Sequence, residues 1–291
     1  MEVLAFLLVL CSGIIHAVWN LFTKTSVDKK TFLWFVHIIS GILLLPYLIS
    51  ELLHSDIPMR GFGFILLSAL MQACYMIFMS KAYELGEISQ VYPIMRGTGA
   101  LLVPVISVVL FNESLSLVGW IGLSCIVVGL FAISGVQFNN KGGILEQSDG
   151  KGSLIKAILM AMLVGVCITG YILIDKVALN YLSPVSLIEV SNISIILALS
   201  WGTLRSGNLK KEWVLNWRTI LIGSVFTPGS YLLFLYAMTL APLSHISPVR
   251  EIGTVCGVLL GVLLLKEQQG LRRIILSIVI TIGIITTGIW G

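Results

Sequence analysis

The chain has 291 residues, 57% of them hydrophobic and 11% charged, with a formal net charge of +4. Its mean hydropathy is +1.01. A soluble domain carries about 25% charged residues, and no basic cluster interleaved with aromatics occurs here, so a soluble enzyme and a nucleic-acid binder are both excluded and an all-α polytopic membrane protein remains.

A membrane-crossing helix needs about 20 predominantly apolar residues. Ten segments meet or approach that length: 3–22, 32–50, 62–83, 88–111 and 117–137, then 153–174, 184–204, 218–240, 244–265 and 271–290. The first segment is preceded only by Met1 and Glu2, without the positive region of a secretory signal, and is expected to be a retained span. It carries Ser12, His16, Asn20 and Lys24 at a spacing of four, hence on one helical face. Such a stripe either lines a cavity or hydrogen-bonds a neighbouring helix. The second segment contains His37, and the third places Gln72, Tyr75, Met79 and Tyr83 on one face. In the fourth, Arg96 follows Pro93 by three residues, and the segment runs out to Glu113.

Beyond the polar stretch 138–152 the pattern starts again. The seventh segment carries Ser183, Ser186, Glu189 and Asn192 at a spacing of three, and the eighth carries Thr227, Tyr231 and Phe234. In the ninth, Pro248 precedes Arg250 and Glu251, and the series Gly253, Gly257 and Gly261 allows close backbone packing. Aromatic and methionine stripes around a few polar groups suit a small-molecule pocket, and they serve equally as core packing.

The two halves repeat one another. Arg96 and Arg250 lie 154 residues apart, as do Glu113 and Glu267, while Gly13 with Lys24 matches Gly165 with Lys176 at 152. The expected organisation is a first repeat at 1–137, a linker at 138–152 and a second repeat at 153–291. Five spans per half means that the second copy enters from the opposite side, which makes ten transmembrane helices as two inverted five-helix repeats. Lysine and arginine in the loops divide fourteen to two in favour of the connections after odd-numbered spans. Those loops are expected in the cytoplasm and both termini outside, in a multi-pass protein of the cytoplasmic membrane. The five cysteines all fall within spans and lack metal-ligand spacing, so packing is their expected role.

A charge in the bilayer interior needs a partner, a wet cavity or a function. By depth, Arg250 is expected beside Glu189 and Glu251 in the outer half. Arg96 is expected beside His16, His37 and Lys24 in the inner half, with no carboxylate of its own and free to attract an anionic group. The candidate substrate-binding residues are therefore Arg96, His16, Asn20, His37, Gln72, Tyr75, Tyr231 and Arg250, with Glu189, Glu251 and Lys24 as gate or coupling residues. Glu113 and Glu267 are expected to be structural.

Several stretches also carry a family resemblance. They are His16-Ala-Val-Trp19-Asn20 with Lys24, Leu85-Gly-Glu-Ile-Ser89-Gln-Val-Tyr-Pro93, Asn112-Glu113-Ser-Leu, Trp120-Ile-Gly122 and Val127-Val-Gly129, with a looser echo from Leu240-Ala-Pro-Leu-Ser244 through Lys266-Glu267. In these the chain resembles the EamA-type transporters of the drug/metabolite transporter superfamily. The resemblance covers nearly the whole chain and implies a ten-helix carrier that moves small metabolites by alternating access.

No HExxH, GxSxG, Walker or GxGxxG sequence is present, and the histidines lack paired ligand spacing. Neither a catalytic site, a metal nor a cofactor is expected. The expected function is that of a secondary transporter, permease or exporter, of a small metabolite bearing an anionic group. The alternatives are a carrier of zwitterionic amino-acid-like compounds and a membrane-embedded lipid-handling protein or enzyme. Partners are limited to the small-molecule substrate and the lipid bilayer, without nucleic acid, for a monomer or homodimer.

Overall fold

The computed structural model describes residues 3–86, 88–134, 150–265 and 270–291. Among these residues every regular element is a helix. The first half contains α1 (Val3–Thr25), α2 (Lys29–His54), α3 (Met59–Leu85), α4 (Ile88–Leu110) and α5 (Leu117–Ile133). The second contains α6 (Gly150–Ala178), α7 (Pro184–Ser206), α8 (Leu209–Leu240), α9 (Leu243–Val249), α10 (Ile252–Leu265) and α11 (Gly270–Trp290). In hydrocarbon every backbone N–H and C=O must be satisfied within the protein, which a helix does segment by segment. Seven of the helices are long and apolar enough to cross a membrane, and Leu117–Ile133 and Ile274–Trp290 are shorter apolar helices. The protein is a multi-pass membrane protein. Most of the predicted linker 138–152, and the Lys266–Glu267 pair, lie outside the described residues.

Helix ends depart from the hydropathy windows for one reason. A window stops where charge begins, whereas a helix continues into the headgroup region. Thus α8 starts at Leu209, nine residues before the expected 218, and carries Lys210, Lys211 and Glu212 in its first turn. The ninth segment differs in kind. It forms two helices, α9 and α10, separated at Arg250 and Glu251. Pro248 removes one N–H, and the chain tightens into three-residue turns: Arg250 N–H donates to Ser247 O at 3.2 Å, Glu251 to Pro248 O at 3.1 Å and Thr254 to Glu251 O at 2.9 Å.

The molecule is apolar outside and polar within. Ile42, Leu43, Leu66, Leu197 and Val225 are each at least half exposed, whereas Gln72, Asp175, Glu189, Asn192, Arg96, Arg250 and Glu251 are buried. That is the distribution expected when lipid is the solvent. At one end of the bundle Arg205 lies over the Trp201 ring at 3.9 Å and Arg218 over Trp217 at 5.2 Å, an interfacial aromatic and cationic belt. The helices pair reciprocally between the halves: α1 packs on α8 and α3 on α6, α1 on α10 and α4 on α6, with α2 on α7 and α5 on α11. Two of these contacts depend on glycine. A Cβ on Gly13 would come within 3.0 Å of Arg250 O, and one on Gly165 within 3.0 Å of Met95 O.

Helix starts buried among other helices are capped by acidic side chains from elsewhere. Glu51 accepts from Ser183 N at 2.7 Å at the start of α7, and Glu212 accepts from Asp28 N at 2.7 Å before α2. Glu113, in the α4–α5 connection, accepts from Leu243 N at 2.8 Å and Ser244 N at 2.7 Å at the start of α9. Its structural reading therefore holds, through backbone capping rather than ion pairing. Burial acts to raise the Glu113 pKa, but hydrogen bonds from Ser107, Ser244 and Leu243 outweigh it and hold the carboxyl below its usual range. A depressed native pKa stabilises fully above the ordinary carboxylate range, and that contribution is lost as pH falls through the native value. Glu113→Ala should cost about 1 kcal/mol at neutral pH, and the difference from wild type should shrink on acidification. Thermal unfolding in detergent at neutral and acid pH checks both expectations.

Candidate functional site

The principal cavity, about 540 Å³, opens at the end of the bundle where α1 runs into α2. Asp28, Lys30, Glu84 and Ser206 stand at its mouth, where Lys30 and Glu84 form an exposed ion pair at 2.6 Å. Deeper in, α1 contributes His16, Trp19 and Asn20, while the exposed Lys24 lies near the mouth. Tyr75, Met79 and Tyr83 come from α3, Tyr92 and Arg96 from α4, and Thr254 and Gly257 from α10. Gly257 borders open space, so the glycine series is not all packing: Gly253 meets Gly13, while Gly257 clears room in the cavity. Among the described residues α8 supplies no wall of this cavity and α6 only Ile168.

Arg96 forms the floor. Its Nη2 donates to Glu251 Oε1 at 2.5 Å and its Nε to Glu251 Oε2 at 3.2 Å, a two-point guanidinium–carboxylate pair. Thr254 Oγ1 adds a third donor to Oε2 at 2.8 Å. Both charged side chains are nearly fully buried, at 9% and 4% exposure. This overturns the expectation that Arg96 lacks a carboxylate. Depth along two separate spans placed Glu251 with Arg250 in the other half of the membrane. The α9–α10 interruption instead presents the Glu251 carboxylate to α4.

Arg250 does not pair with Glu189. Its guanidinium lies over Phe234 at 4.4 Å and Tyr231 at 5.0 Å, on the closed side of the floor. Its Nε and Nη1 are buried without a hydrogen-bond acceptor among the described residues. A void of about 10 Å³, bordered by Arg96, Arg250, Glu251 and Ser247, separates the two arginines. Tyr231 is likewise outside the large cavity. Its hydroxyl donates to Asp175, as does that of Ser68.

The remaining candidates sit between helices. His37 Nδ1 is 2.9 Å from Asn192 Oδ1, and the Asn192 amide reaches Glu189 at 3.0 Å and Ser40 at 3.2 Å. This buried cluster joins α2 to α7, away from Arg96, because His37 faces α7 rather than the cavity. Gln72 donates to Ser191 at 2.5 Å across α3 and α7. Ser12 donates to Ser230 O at 2.5 Å and leaves the cavity stripe, while Asn20 reaches the Tyr92 hydroxyl at 3.4 Å within it. His16 packs edge-on to Trp19 at 4.8 Å, and its Nδ1 has no partner among the described residues. Asp175, next to Lys176, is not among the residues that the repeat and the spacing single out. The signal for it in the sequence is an acid after the uncharged stretch 157–174.

Known proteins agree with this architecture. The EamA-like transporter family matches residues 3–135 and again 155–289. A crystal structure described only as that of a protein superposes with a TM-score of 0.70 at 13% identity, covering 98% of this chain and 96% of its own. At that identity the likeness concerns the fold alone.

Breaking a buried ion pair from one side leaves an uncompensated charge and costs about 3–5 kcal/mol. Arg96→Met and Glu251→Leu should each destabilise by roughly that much, and the double variant by clearly less than their sum. Chemical unfolding of the four proteins in detergent, read as a double-mutant cycle, measures the coupling.

Proposed function

The chain belongs to the EamA-like transporter family, and on that premise we propose that it carries a neutral or zwitterionic, amino-acid-like metabolite across the cytoplasmic membrane by alternating access. A membrane transporter of small molecules is what the family establishes. The narrower reading rests on one observation: Arg96, which lines the cavity floor, is paired with Glu251, which borders the small void behind it. With Arg96 neutralised by a carboxylate, a purely anionic substrate meets no unpaired arginine in the cavity. A zwitterion can set its carboxylate toward Arg96, and its ammonium reaches Glu251 as the floor opens toward the small void that Glu251 borders. The cavity volume suits a small metabolite, and Tyr75, Tyr83 and Tyr92 supply amphipathic walls. Within this reading His16, Asn20 and Tyr75 contact substrate, Glu251 and Lys24 act at the gate, and His37, Gln72 and Glu189 hold helices together.

Alternating access draws support from the cavity opening where α1 runs into α2 and from the aromatic closure behind its floor, where Tyr171 and Tyr231 meet edge to face at 5.7 Å. The reciprocal pairing of α1 with α8 and α3 with α6 supports two inverted repeats, at 1–137 and 153–291, of five spans each with α9 and α10 counted as one. The loop charge bias supports a mouth that faces the cytoplasm. A lipid-handling enzyme would need a reactive group facing the bilayer, and the cavity instead lies among the helices.

Thermal stabilisation of the purified protein by neutral amino acids, dicarboxylates and organic amines tests the assignment. Neutral amino acids should raise the melting temperature by several degrees, and both Arg96→Gln and Glu251→Gln should abolish that rise. Stabilisation by dicarboxylates alone would return the anionic reading.

A further inference from the structure

Asp175 is fully buried in α6, on the closed side of the cavity floor. Two hydroxyls converge on its carboxylate, Ser68 from α3 on one oxygen and Tyr231 from α8 on the other. No cation lies within ion-pair distance of it among the described residues. The neighbouring Lys176 turns away and donates to the carbonyls of Met238 and Ala241 near the end of α8. Tyr171, one turn back on α6, packs its ring on Tyr231. Arg250 stands behind the Tyr231 ring at 5.0 Å and contacts the far side of the same aromatic group. On α3, Gln72 is committed to Ser191.

A carboxylate in this setting carries a charge that no neighbour offsets, and a bound proton removes that charge. Seryl and tyrosyl hydroxyls both donate and accept, so Ser68 and Tyr231 can serve Asp175 in either protonation state by turning their O–H bonds. We propose that Asp175, held by Ser68 and Tyr231, is a proton-binding site of the carrier, reached by water from the face opposite the cavity mouth. This rests on the carrier reading above and adds a coupling ion to it.

The step is one proton transfer. Hydronium at the opened face gives a proton to an Asp175 oxygen, and release returns it to water, with no other bond made or broken. Its effect reaches the cavity through contacts already present. Tyr231 joins Asp175 to Arg250. Arg250 is the residue before Glu251 at the α9–α10 interruption, and Glu251 holds Arg96 on the cavity floor. The unmet N–H groups of Arg250 offer Glu251 a second cationic partner one residue away. A charge appearing on Asp175 draws Arg250 toward Tyr231, and its loss frees Arg250 to compete for Glu251.

The substrate-free test is infrared titration of the purified protein, wild type against the near-isosteric Asp175→Asn. A protonated carboxylic C=O band that titrates in wild type and is missing from D175N is expected. Tyr231→Phe removes one donor while keeping the ring, and should move that titration without abolishing it. Matching melting curves serve as the folding control. In proteoliposomes loaded with a mixture of neutral amino acids, an imposed pH gradient should change wild-type accumulation several-fold and leave D175N at passive equilibration.

The inference is overturned if wild type and D175N titrate alike, or if D175N responds to the gradient as wild type does. Failure of wild type to exchange the mixture at all would count against the substrate reading, while the infrared titration still decides the proton site.

Discussion

An arginine in the middle of a bilayer must be answered by the protein itself, and the answer here, Glu251, comes from the other half of the chain. The two-point contact with Arg96 ties α4 to the interruption between α9 and α10, and most of the surrounding geometry follows from it. The interruption exists because Pro248 withholds an N–H and the chain tightens through Thr254. It lets the Glu251 carboxylate turn to Arg96 on α4 while the Arg250 side chain lies over Phe234. The glycines at 13 and 253 then permit α1 to lie against the same turn, with Gly13 O only 2.6 Å from where a Gly253 Cβ would stand. The α1 polar residues are thereby brought over the floor.

Lipid offers no hydrophobic gain when two apolar helices meet, so cohesion has to come from close packing and from polar groups paired across helices. Both devices are used repeatedly. Glycine and threonine bring α4 onto α6 and α5 onto α11. The His37–Asn192–Glu189 cluster clasps α2 to α7. Acidic side chains from neighbouring elements finish the starts of α2, α7 and α9, where buried N–H groups would otherwise lack acceptors. The polar residues of the interior therefore divide into a larger set that holds helices together and a smaller set that faces the cavity.

That division decides how charge is laid out along the substrate path. On the open side stand a neutralised pair, tyrosines and the α1 stripe. On the closed side Arg250 leans on aromatic rings and Asp175 sits among hydroxyls. The two sides meet at the Arg96–Glu251 pair, beside a void of about 10 Å³, and at the Tyr75–Tyr171 ring contact of 5.7 Å, so a small movement of Glu251 alters both.

The sequence by itself determined what depends on composition and on position along one helix. Apolar length set the membrane class, the 152- to 155-residue offsets revealed the duplication, and fourfold spacing put His16, Asn20 and Lys24 on one face that does line the cavity. It also singled out Arg96, Arg250 and Glu251 as buried charges that require an explanation. Only the tertiary structure decided the partners, because pairing depends on how two distant helices are rotated and on where one of them is interrupted. Arg96 took Glu251 rather than His37, Glu189 took Asn192 rather than Arg250, and Tyr231 took Asp175. Equivalent depth in two spans says nothing about whether their side chains face one another. A local tightening of the backbone at Pro248–Thr254 directs the one carboxylate on which the cavity floor depends.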